Sequence, residues 1–211
     1  AEAEAFRAEL GGDGPLILAL PGSRRGEVAR LAPVIGGVLD RVLAVHPQAR
    51  VVLPTLRSVS AMVEDLTASW PVRPRIVEAP EARRAAFAAA DVAIAASGTV
   101  SLELAAHGVP MVIAYDMHPV TMWLMQRMAR VDTVTLVNLV SETRVVPEFL
   151  GARCTPDLIA PALLGLIGPG PAREAQRAAM RLTMQRLGEG GEAPGLRAAG
   201  SVLAALGASP V

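Results

Sequence analysis

Short apolar runs and longer amphipathic stretches alternate along most of the chain. The runs at 16–20, 51–53, 75–78, 92–96, 111–115 and 134–137 have the length of strands. Those at 16–20 and 92–96 are apolar at every position, as strands covered on both faces are. Between the first two, Val28, Leu31, Ile35, Val38, Leu39 and Val42 recur at helical spacing and predict one long helix over 27–45. Further helices are predicted over 59–66, 81–90, 100–106 and 120–129. From Val146 onward the pattern turns helical, with segments at 157–167, 172–187 and 196–206 and a glycine cluster at 188–195 before the last.

Strands and helices alternating in this way imply right-handed βαβ units. The expected fold class is α/β: a Rossmann-like parallel sheet of about six strands with helices on both faces, followed by C-terminal helices. Residues 1–14 read as the end of an alanine-rich helix and a glycine-rich linker, 15–170 as the sheet domain, and 171–211 as terminal helices. A fold rarely begins with a helix end and a linker, so the chain reads as starting in the middle of something larger.

Composition narrows the picture. Twenty basic and twenty acidic residues cancel, which removes the electrostatic case for bulk nucleic-acid binding. All the basic residues are arginine, and no function is drawn from that. With 3% aromatic residues the core is built from Ala, Leu and Val. The single cysteine, Cys154, excludes an internal disulfide and a Cys-based zinc site, and a reducing cytoplasmic setting fits. No apolar run has the length of a membrane-spanning helix.

In open α/β sheets ligands gather at the carboxyl ends of the strands. Ser97-Gly98-Thr99 follows the fourth predicted strand and opens a helix, where free N–H groups and the helix dipole suit an anion such as phosphate. Glu103 lies one turn further on the same face, placed to reach past a phosphate to sugar hydroxyls. The plainer reading is a capped helix start with an acid in its first turn, although a capping box would put the glutamate three residues after the cap rather than four. After the first strand, Gly22 allows a tight turn, Ser23 offers backbone and hydroxyl donors, and Arg24 a fork suited to phosphate oxygens. An ordinary turn with exposed arginines is the alternative there. Asn138, the only asparagine, follows the sixth predicted strand, and between apolar neighbours such an amide is more often a satisfied buried group than a ligand.

His46 and His107 read as helix C-terminal residues, and His118, although at the ligand-facing edge, as structural. The Met122, Trp123, Leu124, Met125 and Met128 face reads as core packing in preference to lipid contact. Asp-x-Asp is absent, so a metal-held diphosphate has no obvious ligands and its neutralisation falls to Arg24 and the two helix starts. No metal and no cofactor are expected.

Together, Leu20-Pro-Gly-Ser-Arg24, the 96–103 segment Ala-Ser-Gly-Thr-Val-Ser-Leu-Glu, Pro110-Met-Val-Ile-Ala-Tyr115, Val137-Asn-Leu139 and Val146-Pro-Glu-Phe-Leu150 resemble the lipid-A-disaccharide synthase family, glycosyltransferases of the GT-B architecture. The likeness runs from near Leu10 to the last helix and looks like the carboxyl-terminal, nucleotide-holding half of such an enzyme. It implies transfer of 2,3-diacylglucosamine from UDP to 2,3-diacylglucosamine 1-phosphate, with inversion. Carried onto this sequence, Gly22, Ser23 and Arg24 would meet the diphosphate, Ser97, Gly98 and Thr99 would bind it from the helix end, Glu103 would take the ribose, and Asn138 would lie near the reacting sugar. The family places the catalytic base in the amino-terminal half, so no catalytic residue is expected in this chain, which alone would be inactive.

The implied partners are UDP-diacylglucosamine and diacylglucosamine 1-phosphate, without nucleic acid. Cytoplasmic location with peripheral contact to the inner membrane, a homodimer, and terminal helices that cross back onto the other half are further expectations. Another UDP-sugar GT-B enzyme (a muramyl-pathway transferase or a non-hydrolysing epimerase) and a stand-alone nucleotide-binding module are the competing readings.

Overall fold

The computed structural model of the chain describes residues 2–116, 132–192, 194–205 and 207. The predicted helix over 120–129, His118 and Leu206 lie outside the described residues. Five of the predicted strands form where the apolar runs stand: β1 (Leu16–Leu20), β2 (Arg50–Pro54), β3 (Arg75–Val77), β4 (Val92–Ala96) and β5 (Met111–Tyr115). Helices α1 (Glu2–Leu10), α2 (Arg25–Val45), α3 (Ser60–Thr67), α4 (Pro80–Ala89) and α5 (Val100–Ala106) are interleaved with them. Beyond come α6 (Leu136–Ser141), the edge strand β6 (Glu148–Leu150), a short 3-10 turn, and α7 (Pro156–Ile167), α8 (Pro171–Arg186) and α9 (Pro194–Ala205).

All pairings are parallel, in the order β3-β2-β1-β4-β5-β6. This Rossmann-like order reverses between β1 and β4, where Ile17 pairs with Val92 and Leu20 with Ala95. Alternation along the strands feeds two cores. Ile17, Ala19, Val51, Leu53 and Ile94 meet the α2 stripe, all six of whose predicted residues are buried. Leu16, Leu18, Leu20, Val52, Ala93 and Ala95 face the other way, towards Phe87, Leu104 and Met180. Truncating any one of the buried leucines costs about 2–5 kcal/mol in such a core.

The sixth strand is not where the apolar run predicts it. Thr135 is extended, but helix α6 begins at Leu136, and the sixth strand is Glu148–Leu150, paired with β5 from Ile113 to Tyr115. The run at 134–137 is short and rich in β-branched residues, a pattern that does not separate strand from helix. Its continuation decides: Val137 and Ser141, four residues apart, both face the core. The true strand carries a single buried apolar residue, Phe149, because it is an edge strand, so it left no apolar run to find. The turn to helices expected from Val146 onward comes only after this strand, at Pro156.

Beyond the sheet, residues 2–14 are docked rather than loose. Phe6 is buried, Arg7 pairs with Asp91 at 2.8 Å, and Arg50 donates to the carbonyls of Gly11 (2.7 Å) and Gly14 (2.8 Å). Helix α8 also lies on this sheet. The buried Gln176 amide accepts from Met111 N–H at 2.8 Å and donates to Met111 C=O at 3.0 Å, replacing ladder bonds that the three-residue β6 does not reach to make. The expected division at 170/171 therefore does not coincide with the packing. Among the described helices α9 alone buries no side chain, with Leu196 62% and Val202 59% exposed.

Candidate functional site

Three strand ends meet at the point where the strand order reverses. The loop after β1, the end of β2 and the turn after β4 open into one cleft of about 420 Å³. Gly22, Ser23, Arg24, Ser97, Gly98, Thr99 and Glu103, seven residues singled out from the sequence, all line it. Arg24 and Gly98 are thus on one side of the molecule, as adjacent parallel strands require.

Each loop is shaped for close approach. Gly22 has φ +115° and Gly98 φ +148°, conformations that L side chains rarely adopt. No described residue stands within 4 Å of where a Gly98 Cβ would be, so among them that side of the turn is open. Ser101 N–H and Oγ both turn back to Gly98 C=O, at 3.3 and 2.8 Å, and Glu103 N–H reaches Thr99 C=O at 3.4 Å. The Gly98 and Thr99 N–H groups make no such turn within the described residues. Among the predicted backbone and hydroxyl donors, two are already engaged. Ser23 N–H goes to Glu27 Oε2 at 3.2 Å, and Ser97 Oγ donates to Val134 C=O at 3.1 Å.

Charges in the cleft are present but neutralised in pairs. Arg24 Nη1 bonds Glu27 Oε1 at 2.9 Å, and Arg83 Nη2 bonds Glu103 Oε2 at 2.8 Å. Arg83 also lies 5.4 Å from the centroid of the Phe87 ring. Both ion pairs are partly solvent-exposed, so each is worth about 0–1 kcal/mol and yields readily to a more highly charged ligand. The arrangement can accept an anion near Arg24 and the turn after β4, with a carboxylate one turn along α5 for hydroxyl groups.

Asn138 is elsewhere. It sits inside α6, 1% exposed, donating from Nδ2 to Val146 C=O at 2.9 Å and to Glu148 Oε1 at 3.2 Å while its Oδ1 accepts Val146 N–H at 3.0 Å. It is a satisfied buried amide, with all three of these bonds made to the scaffold. Glu148 also accepts from Val134 N–H (3.2 Å), Thr135 N–H (3.0 Å) and Thr133 Oγ1. Burial pushes the Glu148 carboxyl up, but the hydrogen bonds from Thr133, Thr135 and Val134 outweigh it and hold the group below the usual glutamate range.

Several cleft residues, Glu27 among them, escaped the sequence reading. Thr55 and Leu56 follow β2, and the carboxyl-end rule applied to that strand as well would have found them. Arg83 comes from α4 and left no local signal; only the fold brings it to Glu103. His46 and His107 occupy the helix C-terminal positions expected of them, after α2 and α5. No group of His, Cys, Asp and Glu that could hold a metal ion occurs among the described residues.

Comparison with known proteins extends this picture. The family model described as Lipid-A-disaccharide synthetase matches residues 2–193. A lipid-A-disaccharide synthase of Ruegeria pomeroyi is 58% identical over 212 residues, covering 96% of this chain and 52% of the relative. One from Rhodopseudomonas palustris is 44% identical over 189 residues, covering 90% of this chain and 48% of the relative. The chain thus spans about half the length of the curated relatives it matches. Among solved structures, the calicheamicin glycosyltransferase CalG4 superposes with a TM-score of 0.56 at 20% identity, covering 93% of this chain and 43% of that one. WaaG, a glycosyltransferase involved in lipopolysaccharide biosynthesis, does so at 0.52 and 16%, covering 85% and 45%. At these identities the likeness is one of fold.

Proposed function

We propose that this chain, which belongs to the lipid-A-disaccharide synthetase family, supplies the nucleotide-holding half of a hexosyltransferase that joins two diacylglucosamine units. The donor is UDP-2,3-diacylglucosamine, the acceptor 2,3-diacylglucosamine 1-phosphate, and the product the lipid A disaccharide. One observation carries the reading: the Gly22–Arg24 loop and the 97–99 turn converge on a single cleft at the β1/β4 reversal.

The geometry supports the following roles. Arg24 leaves Glu27 and forks onto the diphosphate, the open backbone around Gly98 admits phosphate oxygens, and Glu103 accepts from ribose hydroxyls. Transfer is an in-line displacement at the anomeric carbon with inversion. The acceptor hydroxyl forms the new bond, the bond to the UDP oxygen breaks, and the charge arriving on UDP is held by the same groups. Hydrogen bonds to such charged oxygens contribute about 1.5–3 kcal/mol each. The base that takes the acceptor proton is supplied from outside these 211 residues.

Calorimetric titration with UDP tests the assignment. The unaltered chain binds, while Arg24→Ala and Glu103→Ala each weaken binding about tenfold, the equivalent of one good hydrogen bond. Equal affinities in all three would overturn it. Given both lipid substrates, the 211-residue protein forms no disaccharide; product at a native-like rate would contradict the proposed division of labour. Tighter binding of UDP-diacylglucosamine than of UDP-N-acetylglucosamine separates this reading from other UDP-sugar enzymes.

Two placements belong to the same proposal. The exposed Leu196, Val202 and Leu203 of α9 form the contact with the remainder of the longer enzyme. No helix among the described residues is long and apolar enough to cross a membrane, and the lipid substrates are met by peripheral contact with the inner membrane.

A further inference from the structure

Glu27 makes none of the proposed ligand contacts, yet the loop after β1 is built around it. Its Oε2 accepts Ser23 N–H at 3.2 Å and its Oε1 accepts Arg24 Nη1 at 2.9 Å. A Cβ on Gly22 would lie 2.6 Å from Glu27 Oε2 and 2.7 Å from Glu27 Cβ, so the turn closes onto the glutamate side chain itself. Arg24, in the N-cap position of α2, makes no side-chain capping bond. Glu27, the third residue of the helix, instead reaches back to the N–H that precedes the cap, like the acidic half of a capping box moved by one residue. The Glu27 side chain is 16% exposed, while that of Arg24 is 82% exposed. All four residues, Gly22 to Arg24 and Glu27, line the candidate cleft.

Such an arrangement could work in either of two ways. A carboxylate beside a diphosphate site repels the ligand if the two approach without a cation between them. It helps if it fixes the loop and keeps the cation aimed while leaving that cation free to transfer. The exposures favour the second: Glu27 is held back against Gly22 and Ser23, and Arg24 reaches out from it into solvent. An exposed ion pair is weak, so a doubly charged diphosphate takes the guanidinium over without loosening the Ser23 tether.

We propose that Glu27 is a positioning residue of the donor cleft, presetting the Gly22–Arg24 loop so that Arg24 meets a nucleoside diphosphate already oriented. This rests on the reading of the cleft as a UDP-sugar site. The benefit is preorganisation: the loop and one long side chain lose less freedom when the ligand arrives.

A double-mutant cycle read by UDP titration tests it, using the unaltered protein, Glu27→Ala, Arg24→Ala and the combination. Glu27→Ala weakens UDP binding about fivefold, and added to Arg24→Ala it costs less than about twofold more, because its effect passes through the arginine. Glu27→Gln, which keeps an acceptor for Ser23 N–H, recovers most of the loss. In the ligand-free protein, Ser23 amide exchange accelerates in Glu27→Ala without a fall in melting temperature. Unchanged or tighter UDP binding by Glu27→Ala, fully additive effects, or an unaltered Ser23 amide would overturn the inference. If Arg24→Ala loses UDP and Glu27→Ala does not, only the role of Glu27 falls. If the unaltered protein binds no UDP, the donor reading falls and this inference with it.

Discussion

Glu103 and Glu148 are carboxylates of one sheet domain, and their surroundings differ in every respect that governs use. Glu103 looks into a cleft, half-exposed, with one arginine for a partner that it can give up. Glu148 accepts from Thr133, Val134, Thr135 and Asn138, and holds the 133–135 segment against β6. The same contrast separates Arg24, paired at the surface, from Asn138, whose amide is wholly committed. Availability is what distinguishes a binding group from a scaffold group. Residue type alone does not reveal it.

The contrast can be broken most forcefully on the scaffold side. Glu148→Ala leaves two backbone N–H groups and the Asn138 amide short of an acceptor, and is expected to destabilise the protein by about 3 kcal/mol in thermal unfolding. A loss below about 1 kcal/mol would place Glu148 with the surface acids. Asn138→Ala follows at about 2 kcal/mol, with UDP affinity lowered only as far as the fold loosens. An Asn138→Ala protein of normal stability that had lost UDP would return this residue to the site.

Acid sharpens the same comparison. The Glu148 carboxyl is held below its ordinary value of 4.5, so its stabilising contribution is complete above that value. The contribution is withdrawn as the pH falls below 4.5 and through the lowered folded-state value. The melting temperature of the unaltered protein should therefore drop more steeply in that range than that of Glu148→Gln. Parallel curves would show that the carboxylate is not responsible. Glu103→Ala, by contrast, should shift unfolding by no more than about 0.5 kcal/mol while UDP binding weakens. The smallest effect belongs to Cys154. Burial, then the charge of Asp116, pushes its thiol up to about 11, so alkylation at neutral pH should be far slower than for a free cysteine.

Much of this architecture was legible in the chain. Strands β1 and β4 are apolar throughout, and the α2 stripe keeps its period for about four turns, so both survive any choice of neighbours. The cleft was legible too, because small residues and an arginine after strand ends have few other uses at a sheet reversal. What was lost is what packing decides. A run such as 134–137 becomes a helix only when Val137 and Ser141 find a core, and an edge strand such as β6 needs just one buried side chain. The apolar neighbours of Asn138 pointed to a satisfied amide, but not to its three partners, on Val146 and Glu148, eight and ten residues ahead. Arg83 reaches Glu103 across twenty residues, and no local pattern announces that.

The amide of Gln176, lodged against Met111, bears on how the chain can be cut. Beside β6, which is only three residues long, this side chain keeps the start of β5 from presenting bare N–H and C=O groups. A polypeptide ending at Gly170 would retain every residue of the cleft and still uncover that margin. Open margins of this kind recruit strands from other molecules, so a shortened protein should precipitate, where one ending after Arg186 stays dispersed.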